Sequence, residues 1–249
     1  VQLGNPKTDD LKEAFIRSYS YEIEFMDEHL GRFIDSLKDR GLYDDALIVF
    51  TADHGEEFFE HGGWWHGFSL YEEQIAVPLM IKLPNSEITG LNTDLARHVD
   101  IAPTLAELAD LTPSEQWQGK PLISASLDFQ NADTTHVHSH LNFEGTILRS
   151  LRTDSNKLIT ADGDNERNFA PVEFYALTVD PGEQNNLAES SEAEVNLFTD
   201  TLNDMNKFIL ENAAEPMSLQ MDNLSDEERE QLESLGYLGD DEDMDELPF

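Results

Sequence analysis

The chain has 249 residues, 39% of them hydrophobic, with 15 Lys+Arg against 52 Asp+Glu, a formal net charge of −37 and no cysteine. That length suits one sizeable core with a smaller companion, and zero Cys rules out disulfides, zinc–thiolate clusters and a cysteine nucleophile within these residues. So negative a chain, with no Lys/Arg cluster, argues against nucleic acid and anionic membrane surfaces as partners. No apolar run approaches the roughly 18 residues of a bilayer span, so a soluble chain is expected.

The chain opens at Val1 with neither an initiator Met nor a charged-then-apolar leader, which predicts the continuation of a longer protein. From Leu11, the apolar positions Phe15, Tyr19, Ile23, Met26, Leu30, Phe33 and Leu37 recur at three- and four-residue steps. That spacing predicts a long amphipathic helix packed on a core, with a capping box at Asp10 and Glu13 and a stop at Gly41. Ala46–Thr51 is a short unbroken apolar run with β-branched residues, the pattern of a strand buried on both faces, and helix followed by buried strand points to a parallel α/β sheet. A second such strand is expected over Val77–Leu83, with Pro78 near its start. A helix capped by Asp100 follows through Leu108, with Pro103 in its first turn.

Past Pro113 the texture changes. His136–Phe143, Thr146–Arg152, Lys157–Thr160 and Val172–Val179 are shorter, alternating and separated by Asp/Asn/Gly clusters, which predicts an antiparallel sheet. A helix is expected from about Glu192 to Asn212, with Val195, Phe198, Leu202, Met205 and Ile209 on one stripe. After Pro216 comes one possible helical segment ending at Leu235–Gly236, then an acidic run over Asp240–Glu246 expected to be disordered. This divides the chain into an α/β part over residues 1–112, an α+β subdomain over 113–215 and an acidic tail over 216–249.

Chemistry concentrates after the first strand. Asp53-His54-Gly55-Glu56 falls at the carboxyl end of a strand, where open α/β sheets bind ligands. A carboxylate and an imidazole are ligands for Ca²⁺, Mg²⁺, Mn²⁺ or Zn²⁺, and Gly55 lets the backbone turn so that two adjacent side chains converge. Residues 55–67 add Gly62, Gly63 and Gly67, the aromatics Phe58, Phe59, Trp64 and Trp65, and the histidines His61 and His66. Aromatics wall off water and strengthen polar contacts inside a site. Either His66 holds or protonates an anion, or His61 is a ligand and His66 a plain hydrogen-bonding residue; the pattern leaves both open. Elsewhere, His136, His138 and His140 alternate and would share a strand face able to hold a metal. Asp27 and His29 read as a solvated helix face, and Asp180-Pro181-Gly182-Glu183 as a turn with no chemistry.

Taken together, several segments resemble the sulfatase branch of the alkaline phosphatase superfamily. They are Leu47 to Glu56 (Leu-Ile-Val-Phe-Thr-Ala-Asp-His-Gly-Glu), His66 to Glu73 (His-Gly-Phe-Ser-Leu-Tyr-Glu-Glu), Val77-Pro78-Leu79 and His98 to Leu105 (His-Val-Asp-Ile-Ala-Pro-Thr-Leu). Leu151-Arg152-Thr153 with Lys157-Leu158-Ile159, Glu173 to Leu177, Asp180 to Glu183, Asn186-Leu187-Ala188 and Leu235 to Leu238 follow in the family's order, so the likeness runs from about residue 11 to 239. The resemblance implies an alkaline-phosphatase-like, mostly parallel sheet flanked by helices, plus a smaller C-terminal subdomain with an antiparallel sheet. It implies metal-dependent hydrolysis of small-molecule or glycan sulfate esters. Asp53 and His54 would be ligands of one divalent cation, Ca²⁺ first among Ca²⁺, Mn²⁺, Mg²⁺ and Zn²⁺, and His66 would contact the ester where many sulfatases carry Lys. The family often has Asn at the place of His54; His is the type in relatives acting on phosphate and phosphonate esters, so such an ester hydrolase is the alternative. The family's nucleophile lies in a Cys/Ser-x-Pro-x-Arg motif, and neither version occurs between Val1 and Phe249. The expectation is a carboxyl-terminal portion, inactive alone, whose partner is the missing amino-terminal half. A rival from another class is a non-catalytic, anion-binding interaction half-domain.

Residues 222–249 carry twelve Asp/Glu and one Arg, leaving −26 of the charge on the rest, so the whole surface is acidic. Such a surface suits a salt-filled cytoplasm or an exported protein in brine, and the sequence does not choose. Screening at high salt removes the self-repulsion of the compact state. The melting temperature is therefore expected to rise from low to molar KCl; a melting curve that does not move with salt would rule out salt adaptation.

Overall fold

The computed structural model describes residues 9–85, 88–124, 126, 135–143, 145–162, 165, 168–212 and 225. The expected helical segment ending at Leu235–Gly236 and the acidic run after Asp240 lie outside the described residues, as does the Asp10 side chain. The described residues up to Phe208 pack as one unit and those from Ile209 onward belong to another. Among the described residues no helix is long and apolar enough to cross a membrane.

Helix α1 spans Asp9–Asp39. It stops where expected: Gly41 takes φ +66°, its N–H donates to the Lys38 carbonyl at 2.9 Å and Leu42 N–H to the Leu37 carbonyl at 2.9 Å. These two bonds are the Schellman pair that satisfies orphan carbonyls at a helix end. Its burial differs from the expectation. Phe15 packs against Trp64 and Trp65, and Tyr19 against Phe58. Further along, however, Ile23, Met26 and Phe33 are 45%, 49% and 55% exposed. The 3.6-residue period made the helix; its aromatic contacts come from the first turns, and farther along Leu30, Ile34 and Leu37 are half-buried while their neighbours on the stripe stay exposed.

Strand β1 (Ile48–Thr51) is followed by the short strands β2 (Glu57–Phe58) and β3 (Trp64–Trp65), the four-residue helix α2 (Glu72–Ile75) and strand β4 (Leu79–Lys82). β2 and β3 form an antiparallel ribbon. β1 pairs with β4 antiparallel, Ile48 opposite Lys82 and Thr51 opposite Leu79. Both strands were expected to be buried on two faces; they are half-buried, with Thr51 and Met80 exposed. An antiparallel two-strand pair has no crossover helix to cover it, which is why burial on both faces does not follow.

A 3₁₀ turn over His98–Asp100 leads into α3 (Ile101–Leu108), with Pro103 in its first turn. Asp100 holds the N-cap position but does not cap with its side chain. Fully buried, its carboxylate instead accepts from Arg97 Nε and Nη2 and from Lys120 N–H at 3.0, 2.6 and 2.9 Å.

The expected antiparallel sheet forms from β5 (Val137–Phe143), β6 (Thr146–Arg152), β7 (Asn156–Ala161) and β8 (Val172–Ala176), in the order β5-β6-β7-β8. Period-two alternation assigns its faces. Leu151, Leu158 and Phe174 bury against Leu202, Val195 and Phe198 of α4 (Glu192–Glu211). On the other face Ile159 and Tyr175 pack with Tyr71, and Leu148 and Ala161 with Leu70, the segment just before α2.

Ions are buried between that face and α2. Lys157, with no exposed surface, lies 3.1 Å from Glu72 Oε1 and 2.8 Å from Glu183 Oε1. Glu183, 1% exposed, accepts the Glu72 N–H at 2.6 Å through Oε2, and Arg152 Nε lies 3.1 Å from Glu72 Oε2. Burial, with the Glu72 carboxylate nearby, pushes the Glu183 carboxyl above its ordinary range, and the Lys157 ammonium only partly offsets this. Removing one partner of a buried pair strands the other charge. Lys157→Met is therefore expected to lower unfolding stability in urea by about 3–5 kcal/mol; a loss below about 1 kcal/mol, the range of an exposed pair, would show that the cluster does not hold the two segments together.

Candidate active-site loop

The end of β1 is fixed by a contact from α3's side: His98 Nε2–H donates to the Ala52 carbonyl at 2.9 Å. The next residues turn tightly. Gly55 N–H donates to the Gln74 carbonyl at 2.8 Å, and a Cβ on Gly55 would lie 2.1 Å from the Glu73 carbonyl oxygen, so only glycine fits. Within this turn His54 N–H donates to Asp53 Oδ1 at 3.0 Å and His54 Nδ1 faces the Gly55 carbonyl at 2.9 Å. A carbonyl only accepts, so Nδ1 carries a proton, and in the neutral ring the lone pair is on Nε2. That Nε2 lies 3.6 Å from Asp53 Oδ2. The slight burial of Asp53 pushes its pKa up, but backbone N–H bonds and the neighbouring His54 and His66 outweigh it, holding the carboxyl below its ordinary value. The Asp53 carboxylate and, in the neutral ring, His54 Nε2 stand at a spacing that fits one divalent cation, which would take the place of the Nε2 proton.

His66 arrives by the loop from β3. Its ring stacks on that of His54 with centroids 3.8 Å apart and planes 23° from parallel. Its Nδ1 faces the Glu56 carboxylate at 3.2 and 3.3 Å. Phe59 and Trp65 hold φ near +74° and +72°, a region bulky residues rarely enter, so the loop is constrained by its surroundings.

Those surroundings were invisible in the sequence. Glu57, 2% exposed, accepts from His61 N–H, Gly63 N–H and Gln74 Nε2 at 3.0, 2.8 and 3.0 Å. Gln74 Oε1 in turn accepts from the N–H groups of Phe68 and Ser69. His61 Nδ1 lies 2.6 Å from Glu73 Oε1 and its Nε2 3.0 Å from the Glu183 carbonyl. The ring also stacks on Tyr71 at 3.5 Å, and the Tyr71 and Tyr175 hydroxyls both donate to Glu173 Oε2. Burial, then Glu173, pushes the Tyr71 phenol far up, and burial with the Glu173 hydrogen bond does the same to Tyr175, so both remain donors.

Glu57, His61 and Glu73 bring one ligand atom each within 4.8 Å of one another, the spacing of a metal site. Glu57 already accepts three hydrogen bonds, and both ring nitrogens of His61 are engaged, Nδ1 by Glu73 Oε1 and Nε2 by the Glu183 carbonyl and, at 3.2 Å, the Gln184 amide. We read the cluster as a latch between the loop and Glu183. Asp180–Glu183, read from sequence as an idle turn, thus carries the residue on which the loop is anchored; nothing in a Pro-Gly turn signals a buried carboxylate. Of the strand histidines, His136 falls before β5 and pairs with Thr135 Oγ1. His138 and His140 have lowered pKa values, first from burial, and Arg149 disfavours a further positive charge beside each. No three-residue ligand cluster among the described residues includes them. His29 contacts the Phe25 carbonyl and ring on the exposed helix face, as expected.

Burial pushes the His61 pKa down, but the Glu73 carboxylate and the Glu183 carbonyl raise it above the ordinary 6.5. A folded-state value above the unfolded one contributes stability that is complete below about 6.5 and lost as pH rises through the folded value. Unfolding stability is expected to fall on the alkaline side, by at most about 1.4 kcal/mol per pH unit for one proton, and His61→Gln is expected to flatten that limb. An alkaline limb unchanged in the variant would show His61 to be neutral.

The chain has relatives among known proteins. Residues 2–111 match the family model described as Sulfatase. Residues 59–210 match the model described as N-sulphoglucosamine sulphohydrolase, C-terminal. The chain is 30% identical over 186 residues to a choline-sulfatase of Rhizobium meliloti, covering 74% of this chain and 35% of that protein. It is 29% identical over 190 residues to an N-acetylglucosamine-6-O-sulfatase of Bacteroides thetaiotaomicron, covering 72% and 33%. A solved structure in complex with its substrate D-glucosamine-2-N,6-O-disulfate superposes with a TM-score of 0.65 at 26% identity, covering 77% of this chain and 40% of that one. The chain spans about a third of the length of these curated relatives. Matched in two family models and in fold, the chain belongs to the sulfatase family of the alkaline phosphatase superfamily, over the carboxyl-terminal part of its members.

Proposed function

We propose that these residues form the cation- and ester-contacting part of a metal-dependent hydrolase of sulfate esters carried on a small molecule or glycan. The observation that carries this reading is the Asp53–His54 turn, where a locked Nδ1–H leaves His54 Nε2 and Asp53 Oδ2 3.6 Å apart, with His66 stacked alongside. Asp53 and His54 hold the divalent cation, which when bound orients the ester and takes up charge on its oxygens. His66, 47% exposed, contacts the ester and, as the imidazolium, gives its Nε2 proton to the oxygen that leaves as the S–O bond breaks, returning to a neutral ring protonated at Nδ1. The nucleophile comes from outside these 249 residues, which hold no Cys and no Ser-x-Pro-x-Arg.

Two protein ligands bind weakly on their own. Calorimetric titration of Ca²⁺ into the chain is expected to give a dissociation constant of about 10⁻³ M, at the weak end for protein Ca²⁺ sites, and Asp53→Ala is expected to abolish it. Hydrolysis of an aryl sulfate by the chain alone is expected to be nil. Turnover that Asp53→Ala removes would place the nucleophile inside the chain, and Ca²⁺ binding that survives the substitution would remove Asp53 from the site.

A further inference from the structure

Glu56 neither holds the cation nor contacts the ester, yet its side chain is only 15% exposed and its carboxylate faces His66. A largely buried carboxylate is costly without a donor. Here that donor is His66 Nδ1, which lies within 3.3 Å of both carboxylate oxygens. Two independent constraints meet on one ring. Glu56 holds the Nδ1 edge, and the flat face of His54 lies 3.8 Å away, so a ring flip would break the Glu56 contact. The backbone makes this possible: the Gly55 turn, which admits no Cβ, delivers Glu56 toward the loop, and the Glu57–Gln74 contacts fix where residues 61–69 run.

We propose that Glu56 is a positioning residue that locks His66 in the Nδ1–H tautomer and so presents Nε2 to the ester. The proposal rests on the sulfatase reading for what Nε2 faces, but not for the lock itself. A carboxylate accepting from Nδ1–H fixes which nitrogen is exposed, as the orienting carboxylate of a catalytic dyad does. Without it a free imidazole exchanges between tautomers, and Nε2 would carry the proton in much of the population.

The test reads the resting chain, with neither ester nor cation present, so its failure is distinct from a failure to hydrolyse sulfate. The chain is labelled with ¹⁵N-histidine and studied by NMR about two pH units above the ordinary imidazole value, where neutral rings dominate; His66→Gln assigns the resonance. Native His66 is expected as a single Nδ1–H tautomer. Glu56→Ala is expected to reduce that form to a minority, while Glu56→Gln, whose amide oxygen still accepts, is expected to retain it. Melting curves of both variants separate loss of the lock from loss of the fold. A native His66 that is Nε2–H, or an Nδ1–H signal that persists in folded Glu56→Ala, would overturn the proposal.

Discussion

The arrangement depends on an ammonium group with no access to water. Lys157 stands on the β7 face that meets α2 and lies between Glu72 and Glu183, each carboxylate drawn from a different segment. A lone buried cation would cost several kcal/mol, a large share of a domain's stability, so the two acids must be delivered to it. Their delivery pins α2 and the turn at Glu183 to the four-stranded sheet. Arg152, one strand away, completes the charge pairing on Glu72.

From that anchor, order passes to the site by hydrogen bonds rather than by apolar packing. Gln74, in α2, holds Glu57, Phe68 and Ser69, while its carbonyl holds Gly55. His61 ties the same loop back to Glu183. The aromatics from Phe58 to Trp65 do not wall a cavity around the histidines. They meet Phe15 and Tyr19 of α1, giving the loop its apolar support on one side while His54 and His66 remain open to solvent. Polar contacts carry direction as well as attraction, which suits a loop that must set ring orientations.

The antiparallel sheet shows how this is compatible with a stable core. Alternation puts Leu151, Leu158 and Phe174 against α4 and a mixed row toward α2, so Leu158 and Lys157 sit side by side on opposite faces. One face supplies hydrophobic stabilisation, and the other supplies the ions and phenols that fix the loop. Glu173 and Tyr175 on β8 continue that polar row, with Tyr71 inserted from the loop side.

Local rules were enough to read much of this. The three-and-four spacing of α1, the Gly41 stop, the alternation of β6 to β8 and the Asp53–His54 pair at a strand end are all short-range features, and periodicity encodes them directly. What only the tertiary structure decided was who meets whom across the chain. Glu183 reaches Glu72 over 111 positions, and Glu56 faces His66 through a loop whose path is set by Gln74. Likewise α1's stripe has the right period but little to bury against among the described residues, and β1 pairs antiparallel with β4. A sequence states which faces are apolar and where the chain turns. Which buried carboxylate answers which buried cation follows from sheet register and loop closure, and these exist only once distant segments are packed together.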